Sequence, residues 1–203
     1  MLNGSPREFG CTFTALSEVA STLNQAGVET DILHVGVDPI QSCRACRGCA
    51  GKSRCVVQDG VNVALERMET CDGLVVGSPV HFSSASGAIT CFLDRLFYAG
   101  GAVMAYKPGA AVASCRRAGT LTALDQLNKY FVYAHMPLVP SQYWCMVYGN
   151  TPDEVRSDLE GMQTMRVLGR NMAWMLKSFA AARAAGITPP GQVEERARTN
   201  FIR

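Results

Sequence analysis

Short apolar runs alternate along the chain with amphipathic helical patterns, and this alternation limits the fold more than any other feature. The compact runs DGLVVGSP (72–79) and GAAVASC (109–115) indicate buried strands. Apolar residues recur at helical spacing over 13–23, 86–98 and 120–131. Regular strand–helix alternation predicts a parallel sheet covered by helices on both faces, the doubly wound α/β architecture. Such a sheet binds ligands at the carboxyl ends of its strands.

The first and last strands are irregular. Only Met1 and Leu2 precede the first polar turn, too few for a central strand of ordinary length. VETDILHV (28–35) alternates as a second strand does, and the last strand is interrupted between 137–140 and 143–149. The sequence therefore predicts five strands, the first of them short.

A long helical apolar pattern occupies residues 152–185 near the end of the chain. At 1.5 Å per residue it would extend roughly 50 Å, more than the width of a domain of this size. We expect it to break at Gly161 or Gly169, and its second half to contribute to a dimer. The chain as a whole is expected to form one domain over 1–203, with a cysteine-rich loop at 39–58.

The charge balance of the chain disfavours some classes of binding partner. The 203 residues carry 19 Lys+Arg and 17 Asp+Glu, a net charge of +2, which does not favour a nucleic-acid or anionic-membrane surface. No apolar run approaches the roughly 20 residues of a membrane-spanning helix, and no basic-then-apolar signal is present. We expect a cytoplasmic protein, and in that reducing compartment its nine cysteines are not expected to form a disulfide framework.

Four of those cysteines share the stretch CRACRGCAGKSRC at the spacing C-x2-C-x2-C-x5-C: Cys43, Cys46, Cys49 and Cys55. Zinc sites usually separate two Cys-x2-Cys units by a dozen or more residues, whereas three cysteines at x2 intervals suit an iron–sulfur cluster. The cations among them fit a negatively charged cluster or reactive thiolates equally well: Arg44, Arg47, Lys52 and Arg54. The spacing favours a [4Fe–4S] cluster, with free or redox-active thiols as the alternative.

Three polar loops are candidates for ligand binding. NGSPREFGCTFT (3–14) opens the first helix with glycines, hydroxyls, Arg7 and free helix N–H groups, which suits a phosphate. It matches neither the G-x-x-x-x-G-K-[ST] loop nor the G-x-G-x-x-G fingerprint, which disfavours ATP chemistry and a standard NAD fold. GSPVHFSSASG (77–87) offers amides and aromatic side chains to a flat ring, and SCRRAGT (114–120) adds two arginines. The alternatives are an ordinary capped helix and plain surface turns.

NGSPR with Gly10 and Thr12, GSPVHF…SG…FLDR (77–95) and the cysteine loop together resemble the flavodoxin-like NAD(P)H-dependent FMN reductases. That family includes iron–sulfur flavoproteins and quinone reductases of the tryptophan-repressor-binding-protein type. The resemblance extends over nearly the whole chain. It implies a flavodoxin-like, doubly wound, five-stranded parallel sheet with helices on both faces, and FMN as cofactor.

The resemblance also implies which residues bind FMN. The phosphate falls to the first loop: Ser5, Arg7, Cys11, Thr12 and Phe13. The isoalloxazine is bordered by the second loop and flanked by the third: Pro79, Val80, His81, Phe82, Arg116, Arg117 and Gly119. Family members often have Asn in place of Cys11 and Lys in place of Thr90. His81 is the best candidate for a general acid, while Asp94 and Arg95 are expected to form a structural ion pair.

The leading hypothesis is an FMN-dependent oxidoreductase in which a [4Fe–4S] cluster, bound by the four loop cysteines, exchanges electrons with the flavin. A cluster-free NAD(P)H-dependent quinone or flavin reductase is the second hypothesis. A flavodoxin-type electron carrier is the third, although the charge of +2 disfavours it. The sequence leaves NAD(P)H and ferredoxin both open as the electron donor, and we expect the chain to form a homodimer or homotetramer. Tyr143 and Trp144 line the substrate opening or pack in the core.

Overall fold

Strands and helices alternate along the chain as the sequence predicts. The computed structural model describes residues 1–191, 194, 195, 197 and 199. Its strands are β1 (Leu2–Asn3), β2 (Leu33–His34), β3 (Leu74–His81), β4 (Ser84–Ala85), β5 (Gly109–Cys115) and β6 (Met146–Tyr148). Its helices are α1 (Cys11–Gln25), α2 (Gly60–Thr70), α3 (Gly87–Met104), α4 (Thr120–Tyr133), α5 (Pro152–Ser157) and α6 (Leu159–Ala184).

Five of the strands form one parallel sheet in the order β2-β1-β3-β5-β6. This is the flavodoxin-like order: β2 forms one edge, β1 lies next to it, and the later strands follow in turn to the opposite edge. The predicted fold class is therefore confirmed. β4 is additional: its two residues pair antiparallel with the end of β3 through Val80 and Ala85. Two residues are too few to leave a periodic signal in the sequence.

Helices cover both faces of this sheet. On one face α2, α3 and α4 bury a cluster that includes Phe92 and Leu127. On the other, α1 and α6 bury Leu16 and Leu168 against the middle of β3 and β5. Burial of this apolar area from both sides leaves the strand ends, rather than the strand faces, as the accessible part of the sheet. No helix of the described residues is long and apolar enough to cross a membrane.

The first two strands are shorter than an ordinary strand because they pair with each other over only two residues. The amide of Leu33 donates to the carbonyl of Met1 at 2.8 Å, and that of Val35 donates to Asn3 at 3.0 Å. The predicted strand over 28–35 therefore pairs only where β1 supplies a partner. Its earlier residues have no strand to join.

The long C-terminal pattern breaks at Asp158, so the expected break at Gly161 or Gly169 is wrong. The Asp158 carboxylate accepts from the amide of Gly161 at 2.9 Å, which caps α6, and from the amide of Tyr148 at 2.8 Å. Gly169 instead lets α6 approach α1, because a Cβ there would lie 2.8 Å from the Cβ of Thr22. These glycines serve close packing, and the side-chain cap of Asp158 starts α6 immediately after α5 ends.

Candidate functional site

The carboxyl ends of β1, β3 and β5 meet at one edge of the sheet, and each continues into one of the three candidate loops. The first two loops are joined at their bases. The amide of Gly4 donates to the carbonyl of Gly77 at 2.9 Å, while the Ser86 hydroxyl donates to the carbonyl of Gly4 at 2.7 Å. The structure thus places the three candidate loops at one edge of the sheet.

Asn3 shapes the first loop, although the sequence analysis assigned it no role. Its side chain is fully buried, and its carbonyl oxygen accepts from the amide of Ser5 at 3.1 Å. Its NH₂ group donates to the carbonyl of Glu8 at 2.8 Å, and the amide of Arg7 donates to the Ser5 hydroxyl at 3.1 Å. Asn followed by Gly-Ser-Pro is a turn signal that could have identified this residue.

The segment after β2 forms a wall against the same loop. The His34 imidazole Nε2 lies 2.7 Å from the carbonyl oxygen of Ser5, close enough for a hydrogen bond. Gly36 approaches so closely that an added Cβ would lie 2.0 Å from that oxygen. Only a residue without a side chain fits there. His34 and Gly36 are site residues that the sequence did not reveal, since their partner lies about thirty positions away.

The first turn of α1 presents free backbone N–H groups to this loop. Its N-cap, Gly10, makes no side-chain hydrogen bond, so these donors have no capping side chain. Of the proposed phosphate ligands, Ser5 is buried and Arg7 exposed. The Thr12 hydroxyl is buried and lies 2.8 Å from that of Ser114, so it faces β5 as well as the loop.

Cys11 and Phe13 complete the start of α1. Burial raises the pKa of the Cys11 thiol, which keeps it neutral, and its sulfur lies 3.6 Å from the carbonyl oxygen of Gly149. Phe13 is half-buried and meets Phe9 edge to face at 5.1 Å between ring centroids. A neutral thiol at the helix start adds no negative charge that would repel a phosphate.

The second loop is a tight hairpin that holds Phe82 in solvent. Phe82 and Ser83 have φ values of 50° and 58° between the paired ends of β3 and β4, as a two-residue type I′ turn requires. Phe82 is fully exposed at 105%, His81 is exposed, and Pro79 and Val80 are half-buried. An apolar ring in solvent and a left-handed backbone both have unfavourable free energies, which suggests a ligand-facing role.

The third loop packs directly against this hairpin. Gly119 has a φ of 91°, and a Cβ there would lie 2.9 Å from the Cα of Ser83 and from a methyl of Val80. Arg116 and Arg117 are exposed beside it. The close contact places the backbone of the third loop next to the exposed end of the hairpin.

The cysteine loop leaves the same edge of the sheet after β2 and returns to it at the start of α2. Its four cysteines line one cavity of about 230 Å³: Cys43, Cys46, Cys49 and Cys55. Ala45 and Arg47, with φ values of 50° and 56°, turn the backbone between them. Within the part of the chain that the structure describes, no three His, Cys, Asp or Glu side chains are grouped closely enough to hold a metal ion. The thiols therefore share a cavity without forming a closed ligand set.

Asp94 and Arg95 do not pair with each other, so that expectation is wrong. Asp94 accepts from the Tyr130 hydroxyl at 2.6 Å, while Arg95 forms a bidentate ion pair with Asp59 at 2.5 and 2.8 Å. Neighbouring residues on a helix point about 100° apart and cannot face one another. Burial and the Asp94 carboxylate raise the pKa of Tyr130.

The remaining cysteines and the aromatic pair lie apart from the cavity. Burial raises the pKa of Cys115, and that of Cys145 to about 12, so both are neutral thiols. Tyr143 and Trp144 are 51% and 53% exposed and stack edge to face at 4.6 Å, so the core alternative is wrong. Both residues precede β6 rather than follow it. They therefore lie beside this outermost strand and not at the carboxyl ends of the strands, where the candidate loops meet.

Residues 1–151 match the sequence model of the NADPH-dependent FMN reductases. An iron-sulfur flavoprotein of Methanocaldococcus jannaschii is 29% identical over 184 residues, covering 87% of this chain and 95% of the relative. One of Methanosarcina thermophila is 22% identical over 181 residues, covering 87% and 93%.

Structural similarity agrees with this result. The solved NAD(P)H:quinone oxidoreductase from Methanothermobacter marburgensis superimposes with a TM-score of 0.64 at 15% identity, over 84% of this chain and 96% of that chain. At this identity, the likeness shows a common fold.

Proposed function

Because the chain belongs to the NADPH-dependent FMN reductase family, it is a flavin-dependent oxidoreductase, and we propose that it is an iron–sulfur flavoprotein. In this proposal FMN binds at the carboxyl edge of the sheet and a [4Fe–4S] cluster binds in the cysteine loop. The observation that carries it is the position of four cysteine side chains around one cavity, in the loop that leaves the carboxyl end of β2. The relatives of similar length that are named iron-sulfur flavoproteins support it.

The phosphate end of FMN would be held by the first loop and the start of α1. Ser5 and Arg7 supply a hydroxyl and a cation, and the uncapped N–H groups at Cys11 and Thr12 supply backbone donors. The free donors and the neutral Cys11 thiol fit a dianionic phosphate. Phe13, in the first turn of α1, would contribute by packing against Phe9 of the same loop.

The ring system of FMN would lie between the second and third loops. Pro79 and Val80, both half-buried, would form the apolar border, the exposed Phe82 would cover a face, and His81 would move a proton at the ring edge. The loop from Arg116 to Gly119 flanks the other side: Arg116, Arg117 and Gly119. When bound, FMN would supply the redox chemistry, because it accepts two electrons as hydride and releases them singly. The protein would position the ring, supply nearby charge and exclude water.

Cys43, Cys46, Cys49 and Cys55 would hold the cluster. The donor set fits, because four thiols surround the cavity and no carboxylate or imidazole lines it. Binding of a metal commonly organises its ligands. The cations Arg44, Arg47 and Lys52 are exposed and have no ion-pair partner among the described residues, so they are free to offset the negative charge of metal-bound thiolates. A cluster supplies one-electron chemistry.

The test is an assay of FMN, iron and sulfide on protein purified without oxygen. We expect one FMN with about four iron and four sulfide per chain. Cys49→Ser should lose iron and keep FMN, whereas Cys71→Ser, an exposed cysteine outside the loop, should keep both. FMN without iron, even after reconstitution with iron and sulfide, would overturn the proposal.

That second outcome would favour a cluster-free NAD(P)H-dependent quinone or flavin reductase, which the open arrangement of the thiols supports. In either case the partner is a redox donor or acceptor, with NAD(P)H and ferredoxin as the proposed donors. A homodimer or homotetramer is also proposed, because Trp174 in the second half of α6 is 70% exposed and so presents a large apolar ring to solvent. One domain over residues 1–203 is likewise proposed, because five strands from 2 to 148 join one parallel sheet.

A further inference from the structure

We propose that Arg95 closes the base of the cysteine loop and fixes the sulfur of Cys55, so that the loop is organised around one positioned thiol. The proposal rests on the proposed function where it concerns the metal. Its structural part, the closure of the loop, stands on contacts within the chain. Arg95 is a positioning residue in this account and is not itself a ligand.

The burial of Arg95 requires an explanation. Its side chain is only 2% exposed in the middle of α3, although arginine is rarely buried without partners. A guanidinium carries five N–H donors in one plane, and each that lacks an acceptor in the interior is costly. The environment of Arg95 must therefore supply five acceptors.

All five acceptors come from the two ends of the cysteine loop. Nε donates to the sulfur of Cys55 at 3.3 Å. Nη1 donates to the Gln41 carbonyl at 3.4 Å and the Asp59 carboxylate at 2.5 Å. Nη2 donates to the Val57 carbonyl at 3.1 Å and the other Asp59 oxygen at 2.8 Å. One planar group thus joins the segment before the first cysteine to the segment that holds the last.

Asn62 fixes the backbone of the same cysteine from the other side. Its side-chain carbonyl accepts from the amide of Cys55 at 2.8 Å, and its NH₂ group donates to the carbonyls of Cys55 at 3.0 Å and Val57 at 3.1 Å. Asn62 is 4% exposed on α2. Cys55 is therefore held by two helices, through its backbone and through its sulfur.

The other three cysteines lack this support. Cys49 has one long contact, from its sulfur to the Tyr98 carbonyl at 3.8 Å. In the described part of the chain, the sulfurs of Cys43 and Cys46 have no hydrogen bond. Cys55 is the fixed thiol of the set, and the remaining thiols lie on a loop whose ends Arg95 holds together.

This arrangement has a consequence for a metal bound at Cys55. Hydrogen bonds to ligand sulfurs and nearby charge set the reduction potentials of iron–sulfur sites. An N–H donor and a positive charge beside the sulfur stabilise the reduced, more negative state. Loss of the Arg95 contact should therefore lower the reduction potential of any iron site that still assembles.

The test uses four variants of the full chain. Arg95→Lys keeps the charge but loses the planar fork, and Arg95→Met removes both. Arg95→Met with Asp59→Ser also removes the carboxylate that would be left unpaired, while Ser retains the helix cap. Arg54→Met is the matched control, since it removes an equal charge from an exposed position of the cysteine loop.

The first readout is hydrogen–deuterium exchange over residues 41–59. We expect exchange about tenfold faster or more in Arg95→Met and in the double variant, an intermediate rate in Arg95→Lys, and no change in Arg54→Met. The second readout is iron per chain and its reduction potential. Arg95→Met should lose most of its iron and keep FMN, while Arg95→Lys should keep iron at a lower potential.

A double variant that folds, exchanges at the wild-type rate and keeps its iron would overturn the proposal. It would show that Arg95 contributes only to packing in the core. Unchanged exchange in that variant alone would contradict the closure of the loop. If the wild type binds no iron, the proposed cluster fails, and the exchange experiment still decides the role of Arg95.

Discussion

Gln126 on α4 holds Ser84 of β4 through a hydrogen bond of 2.6 Å from the Ser84 hydroxyl to the Gln126 side-chain carbonyl. The same oxygen accepts from the amide of Ala85 at 3.0 Å. These bonds fasten the short strand that returns the chain from Phe82 to α3. A side chain outside the candidate site thus fixes the hairpin on which the aromatic ring stands.

Gln126→Ala should lower the free energy of unfolding by about 1–3 kcal/mol, because it leaves the buried amide of Ala85 without an acceptor. It should also weaken FMN binding, since the hairpin loses its support. Urea unfolding and a flavin titration measure both effects. The control is Gln142→Ala, which loses only an exposed bond to Gln163. Equal stability of the two variants would show that the hairpin needs no such anchor.

Gly36→Ala should disrupt the first loop. The added Cβ would lie 2.0 Å from the Ser5 carbonyl oxygen, so the backbone of the proposed phosphate loop must move. We expect purified Gly36→Ala to retain little FMN. Gly101→Ala, whose Cβ meets nothing within 4 Å on α3, should retain FMN and unfold at the same or slightly higher temperature. Full FMN content in Gly36→Ala would contradict the placement of the phosphate.

Phe82→Gly should separate stability from flavin binding. Phe82 has a φ of 50° and is fully exposed, so glycine relieves backbone strain and loses no packing. We expect the free energy of unfolding to stay the same or rise by about 1 kcal/mol, while FMN affinity falls. Thermal unfolding without flavin and a fluorescence titration give the two values. Unchanged affinity would remove Phe82 from the ring site.

The pH dependence of stability should report the Asp59–Arg95 pair. Burial acts to raise the pKa of Asp59, but hydrogen bonds from Arg95 and from the amide of Val61 outweigh it, so the pKa lies below its ordinary value of 3.8. The stabilisation is complete above that value and is lost as the pH falls through the lower pKa of the folded state.

Asp59→Asn should therefore cost about 3–5 kcal/mol near neutral pH, where it leaves Arg95 buried and unpaired. The difference from the wild type should narrow as the pH falls below about 4. Urea unfolding between pH 3 and pH 7 measures this. Asp153→Asn, which loses an exposed pair with Arg156, should stay within about 1 kcal/mol of the wild type throughout. A constant difference for Asp59→Asn would contradict the ion pair.

Local patterns were sufficient for much of the fold. The bounds of β5 at Gly109–Cys115 agree with the predicted range, and α4 begins at Thr120 as predicted, because both elements have a clear period. The cysteine spacing likewise predicted that four thiols act as one set. It could not show whether they close on a common point, since that depends on the path of the loop.

The residues that sequence reasoning missed act over long separations. Gln126 bonds to residues 41 and 42 positions away, and Gly36 is required by the close approach of the Ser5 carbonyl in the first loop. The expected ion-pair partner of Arg95 is its neighbour Asp94, whereas the observed partner, Asp59, lies 36 positions away. Such contacts depend on the order of strands in the sheet, which no local pattern contains.

The most direct test of the electron-relay proposal is an anaerobic reductive titration that counts electrons taken up per bound FMN. FMN alone accepts two electrons, and a [4Fe–4S] cluster adds one. The account predicts about three electrons per chain, with the additional uptake lost in Cys49→Ser. An uptake of about two in the iron-reconstituted wild type would contradict it and leave a flavin reductase without a cluster.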